Sequence, residues 1–158
     1  MVQSLETSAI SSPFYNTYIA AQNFFGDRSL LSNSSKIYDL VTVTGDVHHI
    51  FPKKYLQENG YNDKNLYNQV ANYAYLDTSV NISVGKKEPK VYFSEALAGC
   101  SGEQTVGTIT EETEFWDNLD TNCIPRNVAN MTYADYMEFL KLRRVLMAKK
   151  IRKYYEAL

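Results

Sequence analysis

The sequence predicts an α+β domain that is mostly helical and carries one small antiparallel pair of strands. Three observations lead there. Most apolar positions recur at the three-to-four-residue spacing of a helix face, in segments opened by proline or a capping side chain and closed by glycine. Only two longer stretches read as extended, residues 46–51 (Asp-Val-His-His-Ile-Phe) and residues 72–76 (Asn-Tyr-Ala-Tyr-Leu). At 158 residues, 44% apolar and 22% charged, the chain can bury roughly two thirds of its unfolded surface without needing a disulfide or a metal to fold.

The elements follow in order. Residues 1–12 read as a loose terminus, and 13–158 as one domain with a helical carboxyl-terminal extension. Pro13 suits a first helical turn, and Phe14, Tyr18, Ala21, Gln22 and Phe25 share a face, so a helix is predicted over Pro13–Phe25, closed by Gly26. Residues 26–35 read as turn and loop, 36–40 as a short helical turn, and β-branched Val41-Thr42-Val43 as the start of extended structure. After the first strand, Pro52 cannot donate to a sheet ladder but can open a helix, here Lys53–Glu58, stopped by Asn59-Gly60. A short helix at 65–70 leads to the second strand. Asp77-Thr78 offers a cap for a helix carrying Val80, Asn81 and Val84 and ended by Gly85, and Pro89–Ala98 forms the next helix. Residues 99–107 read as a polar, glycine-rich surface loop, and 110–119 as a helix with Phe115, Trp116 and Leu119 inward. The last helix is the clearest. Thr132 and Asp135 make a capping pair, and Tyr136, Phe139, Leu140, Met147, Ile151, Tyr154 and Leu158 form its apolar stripe. Lys141, Arg144, Lys149, Arg152 and Lys153 are read as its solvated face.

Composition excludes several function classes. Sixteen basic against eighteen acidic residues argue against a protein that coats DNA non-specifically, because phosphate neutralisation needs an excess of lysine and arginine. The charges are nonetheless segregated, with Lys53, Lys54, Lys86, Lys87 and Lys90 apart from an acidic stretch at Glu111, Glu112, Glu114, Asp117 and Asp120, which leaves room for a positive site. Cys100 and Cys123 have no metal-ligand spacing and make no disulfide framework, so a reduced, cytoplasmic setting is expected. Nothing in the sequence approaches a membrane span.

Function points to one place. The only histidines, His48 and His49, are adjacent, two and three residues after Asp46 and shortly before Pro52. The predicted order of strand, helices, strand and helix brings them near Asn68, Asn72 and Asn81. Imidazole and neutral oxygen donors suit a hard or borderline divalent ion with positions left for phosphate and water, and the lack of paired cysteines disfavours a closed zinc site. Asn68 alone reads equally well as a turn former. Gln22 and Arg28 could reach the site but read more readily as structural.

The run Asp46-Val47-His48-His49-Ile50-Phe51-Pro52, followed by Asn72 and then Asn81, resembles the HNH nuclease pattern. That pattern belongs to the ββα-metal, or His-Me finger, fold. Over most of its length the chain is also similar to the carboxyl-terminal region of bacterial DUF262 and DUF1524 proteins, a group related to the restriction enzyme GmrSD. That likeness runs through Gly26-Asp27-Arg28-Ser29-Leu30-Leu31, residues 45–53, 67–73 and 81–89. The resemblance implies a metal-dependent endonuclease domain hydrolysing DNA, in restriction or phage defence. It assigns His49 as general base, with Asn72 supporting it in the catalytic set. His48 and Asn81 would be metal ligands, Asp46 a further ligand or a partner to one, and Lys53, Lys54, Lys86 and Lys87 would hold neighbouring phosphates. The cofactor implied is one divalent ion, Mg²⁺ or Mn²⁺ ahead of Ni²⁺ or Zn²⁺. The expected partners are DNA and an amino-terminal DUF262-type domain of the same, larger protein. The alternative is a catalytically inactive nucleic-acid- or protein-binding domain of the same fold.

Overall fold

The computed structural model describes residues 1–43 and 47–158. Helices α1 (Pro13–Phe25) and α2 (Ile37–Val43) precede strand β1 (His48–His49), and α3 (Lys53–Glu58) and α4 (Lys64–Tyr67) separate it from β2 (Tyr73–Ala74). Helices α5 (Thr78–Val84), α6 (Pro89–Ala98), α7 (Glu112–Thr121) and the long α8 (Tyr136–Ala157) complete the chain. The domain is therefore mostly helical with one two-stranded antiparallel sheet, His48 opposite Ala74 and His49 opposite Tyr73.

Local chemistry explains the boundaries. Proline opens α1 and α6, Gly26 closes α1 in the left-handed conformation at φ 69°, and the Asp77 carboxylate caps α5 by accepting from the Val80 N–H at 2.9 Å. At the start of α8, the Asp135 carboxylate accepts from the Thr132 N–H and the Thr132 hydroxyl from the Ala134 N–H. The strands are shorter than the sequence predicts because side chains and loops take their next hydrogen bonds. The Phe51 N–H donates to the Asn72 side chain, and the Tyr75 carbonyl accepts from Leu30 N–H in the loop after α1.

Several expectations are corrected. The terminus read as loose is pinned: Leu5 is fully buried, Val70 N–H donates to the Thr7 carbonyl, and the Tyr73 hydroxyl to that of Ser8. The Val41-Thr42-Val43 backbone continues α2 instead of turning extended, since β-branching costs a helix only a few tenths of a kcal/mol per residue. The stretch 99–107 packs inward through buried Val106, and Gly107, at φ 74°, lies so close to Leu31 that a Cβ there would sit 2.6 Å from the Leu31 carbonyl. Helix α4 is shorter than predicted because Asn68 leaves helical geometry at ψ 85°, and α7 starts at Glu112 instead of 110. Trp116 is only half-buried, and Leu158 lies in solvent.

The largest correction concerns α8. Its largest fully buried side chain is Arg143, in the stretch that also buries Tyr136, Phe139 and Leu140. Its guanidinium donates to the carbonyls of Ala71 and Tyr73, on either side of Asn72, and to that of Asn122 at the end of α7. Arg144, read as solvated, is half-buried and donates to Gln69. Asn118 and Asn122 work similarly from α7. Asn118 accepts from Leu31 N–H and donates to the Ser29 carbonyl, and Asn122 donates to that of Arg28, so the loop after α1 is read backbone group by backbone group. Lys150 of α8 pairs with Asp27, both nearly buried, and donates to the Thr121 carbonyl. No helix of the described residues is long and apolar enough to cross a membrane.

Arg143→Met, which keeps the bulk and removes the donors, takes a hydrogen bond from three buried carbonyls, of which that of Asn122 keeps the Tyr18 hydroxyl, and should lower unfolding free energy by about 2 kcal/mol in urea titration. Arg152→Ala, which removes only an exposed pair with Glu156, should cost about 0.5 kcal/mol or less.

Candidate functional site

The histidine strand is held from behind by one side chain. Asn72 is fully buried; its carbonyl oxygen accepts from the Phe51 N–H at 2.8 Å, and its amide donates to the carbonyls of Phe51 and Tyr67, both at 3.1 Å. Its own backbone carbonyl accepts from Ile50 N–H at 2.8 Å. All four bonds fix backbone within reach of the sheet, and three of them fix Ile50 and Phe51, immediately after His49. From the other side, the buried Tyr92 hydroxyl of α6 donates to the Ile50 carbonyl. Leucine at position 72 could fill the space and keep the backbone bond to Ile50, but it would take the side-chain partner from the Phe51 N–H and from the carbonyls of Phe51 and Tyr67.

In front of the strand lies an open cavity of about 270 Å³, lined by His48, His49, Lys53 and Asn81 with Val47 and Leu76 as apolar walls. The sequence-predicted residues thus converge from three elements: the histidines on β1, Lys53 at the first turn of α3, and Asn81 in the middle of α5. Asn81 is exposed, at the rim, and Asn72 stands behind the strand and does not line the cavity. Asp46 lies outside the described residues.

The two imidazoles have different surroundings. The His48 ring meets Tyr92 edge-on at 6.3 Å, and its Nε2 is buried with no hydrogen-bond partner among the described residues. Burial pushes its pKa down to about 4; the adjacent His49 lowers it further, while the Asn81 side chain opposes the drop. Asn81 therefore lies close enough to His48 to favour its charged form, although no bond of ordinary length closes on Nε2. A neutral ring with a free lone pair is the state in which imidazole binds a metal. His49 is fixed at two points: its Nε2 lies 2.9 Å from the Asn68 carbonyl oxygen, and Tyr73 packs edge-on at 5.3 Å.

The lysines divide. Lys53 lines the cavity with its ammonium 5.4 Å from the Tyr67 ring centre. Lys54 is exposed opposite Glu58, Lys86 is exposed beyond α5, and Lys87 is engaged by Glu95 at 2.7 Å. Gln22 is buried against Asn122 and neither it nor Arg28 lines the cavity. Among the described residues, no group of three His, Cys, Asp or Glu side chains comes together, and both cysteines are free. Sequence reasoning places Asn68 near the histidines without giving it a bond to His49, and it misses Tyr92, which lies in α6 and carries no pattern that links it to β1.

In metal-free protein the His48 ring should titrate near pH 4 by nuclear magnetic resonance. Because the unfolded imidazole takes up its proton near 6.5 and the folded one near 4, the unfolded state binds more protons between those values. Stability should therefore fall as pH drops through that window, by on the order of 3 kcal/mol at most, and His48→Gln should flatten the slope.

No protein-family model, no curated protein and no solved structure matches the chain.

Proposed function

We propose that this chain is a metal-dependent endonuclease domain of the HNH type, hydrolysing phosphodiester bonds of DNA in restriction or phage defence. The observation that carries the reading is one open cavity holding two unlike imidazoles, His48 with a buried Nε2 that has no partner among the described residues and His49 hydrogen-bonded to Asn68, with Asn81 and Lys53 beside them.

The donor set fits a divalent ion. His48 offers an unprotonated nitrogen without a partner among the described residues, and Asn81 offers a neutral amide oxygen; Asp46, two residues before His48, would add a carboxylate. Such N and O donors suit Mg²⁺ or Mn²⁺, with Ni²⁺ or Zn²⁺ as further candidates. When bound, the ion supplies Lewis acidity towards the scissile phosphate and the leaving oxygen.

The remaining steps belong to the chain. His49 accepts a proton from water as that water attacks phosphorus in line; the bond from phosphorus to the 3′ oxygen breaks, and the leaving oxygen takes a proton from solvent. The products are a 5′-phosphate and a 3′-hydroxyl. Lys53 holds a phosphate oxygen by charge, a contact that positions the strand without reading sequence. Asn72 touches no substrate and acts by holding the backbone on which both histidines stand. In the parent protein a DUF262-type domain would supply recognition and regulation.

A second reading, a domain of the same fold that binds nucleic acid or protein without turnover, draws on the small number of described donors, His48 and Asn81, which would hold an ion weakly. Nicking of supercoiled plasmid in Mn²⁺ separates the two. The chain should nick, and His49→Ala should slow nicking by roughly 10²–10⁴-fold, the usual contribution of a general base. Equal rates would remove His49 from that role. Calorimetry should show Mn²⁺ binding that His48→Ala abolishes; absence of binding to the native chain favours the second reading.

A further inference from the structure

We propose that Asn68 is a positioning residue that sets the tautomer of His49, keeping the proton on Nε2 and leaving Nδ1 as the nitrogen that accepts the proton from water. The proposal deepens the hydrolytic reading and rests on it for its catalytic consequence.

A neutral imidazole carries one N–H and one lone pair, and which nitrogen carries which is decided by what each one meets. The Nε2 of His49 meets the carbonyl oxygen of Asn68 at 2.9 Å, an acceptor that is matched only if Nε2 bears the hydrogen. Nδ1 is then the free base. The bond does not change when Nδ1 gains a proton, because Nε2 donates in both states, so the partner need not rearrange during the reaction.

Asn68 is suited to the task by where the chain puts it. It follows the one-turn helix α4, whose first turn is capped by the Asp63 carboxylate accepting from Asn65 N–H. The Asn68 N–H still donates to the Lys64 carbonyl at 2.9 Å, but at ψ 85° its backbone has left the helix, and the side chain reaches β1 instead of continuing along the helix surface. The next backbone anchors come at once. The Tyr67 carbonyl accepts from the Asn72 amide, and the Tyr136 hydroxyl of α8 donates to the Leu66 carbonyl at 2.7 Å, so the residues before Asn68 are tied to the core. Tyr73, packed edge-on against the His49 ring, limits its rotation from the other side. A ring held by one hydrogen bond through Nε2 and by one aromatic edge, in a residue that lines the cavity, has Nδ1 as the nitrogen that Asn68 does not engage.

The alternative role, a plain helix terminator, requires only the Asn68 backbone. Its side chain would then be replaceable by any residue compatible with φ −90°, ψ 85° without effect on His49.

Nitrogen-15 resonances of the His49 ring, in the full chain without metal and assigned by their loss in His49→Gln, read the tautomer directly. The native protein should show Nε2 protonated and Nδ1 free. Asn68→Leu, which keeps the size and removes the acceptor, should give a mixture of tautomers, and Asn68→Asp, which retains an acceptor oxygen, should restore the Nε2–H form. Asn68→Ala is the second acceptor-free variant should the leucine fold poorly. In plasmid nicking with Mn²⁺, Asn68→Leu should reduce kcat by roughly 10–100-fold at little change in KM. A native ring protonated on Nδ1, or a tautomer unmoved in both Asn68→Leu and Asn68→Ala, overturns the proposal. A native chain with the expected tautomer that fails to nick plasmid leaves the assignment of Asn68 standing and overturns the hydrolytic reading instead.

Discussion

The structure depends on a positive charge that no carboxylate of the described residues pairs with. Arg143 is buried among aromatic and aliphatic side chains, and the two terminal nitrogens of its guanidinium donate to the carbonyls of Ala71, Tyr73 and Asn122. A guanidinium cannot shed its proton to ease the cost of burial, so those carbonyl dipoles must be held in place to receive it. The requirement runs both ways: the residues around Asn72 and the end of α7 are fixed with respect to α8 because Arg143 needs them. From α7 the restraint continues through the Asn122 and Asn118 side chains into the loop after α1.

That restraint also reaches the cavity. The carbonyls held by Arg143 flank Asn72, whose side chain grips Phe51 and Tyr67, and Phe51 follows His49 by two residues. Two strands of two residues each would alone be a poor platform for two imidazoles, since so short an isolated pair has little stability of its own. Here the pair is an ornament on a hydrogen-bonded frame. The short strands follow from the same fact, for the groups that would lengthen the ladder are occupied by the Asn72 amide and by Leu30.

Much of this was legible in the sequence wherever a local rule decides the outcome. Pro13 and Gly26 bound α1, Asp77 and Gly85 bound α5, and Thr132 with Asp135 opens the final helix, because caps and left-handed turns depend on one or two side chains. The pairing of His48-His49 with Tyr73-Ala74 and the approach of Asn81 were legible for a related reason, as the alternation and the following cap fix their order. What stayed hidden is what only tertiary contact decides. Arg143 sits in a run of lysines and arginines, and nothing within α8 separates the one that faces carbonyls from those that face water. Val41 to Val43 favour strands by propensity and continue a helix in place, and the glycine-rich stretch 99–107 conceals Val106 in the core. Asn68 was legible as one of the asparagines near the histidines, and that it ends α4 and bonds His49 was not.

The central claim is that His48 and Asn81 face one divalent ion while His49 stands free to take a proton. Anomalous diffraction from crystals of the chain grown in Mn²⁺ tests it most directly. The account predicts one peak in the cavity, within roughly 2.0–2.3 Å of a His48 ring nitrogen and the Asn81 side-chain oxygen, with His49 outside the coordination sphere. A cavity without a peak at saturating Mn²⁺, or an ion ligated by His49 in place of His48, would contradict it.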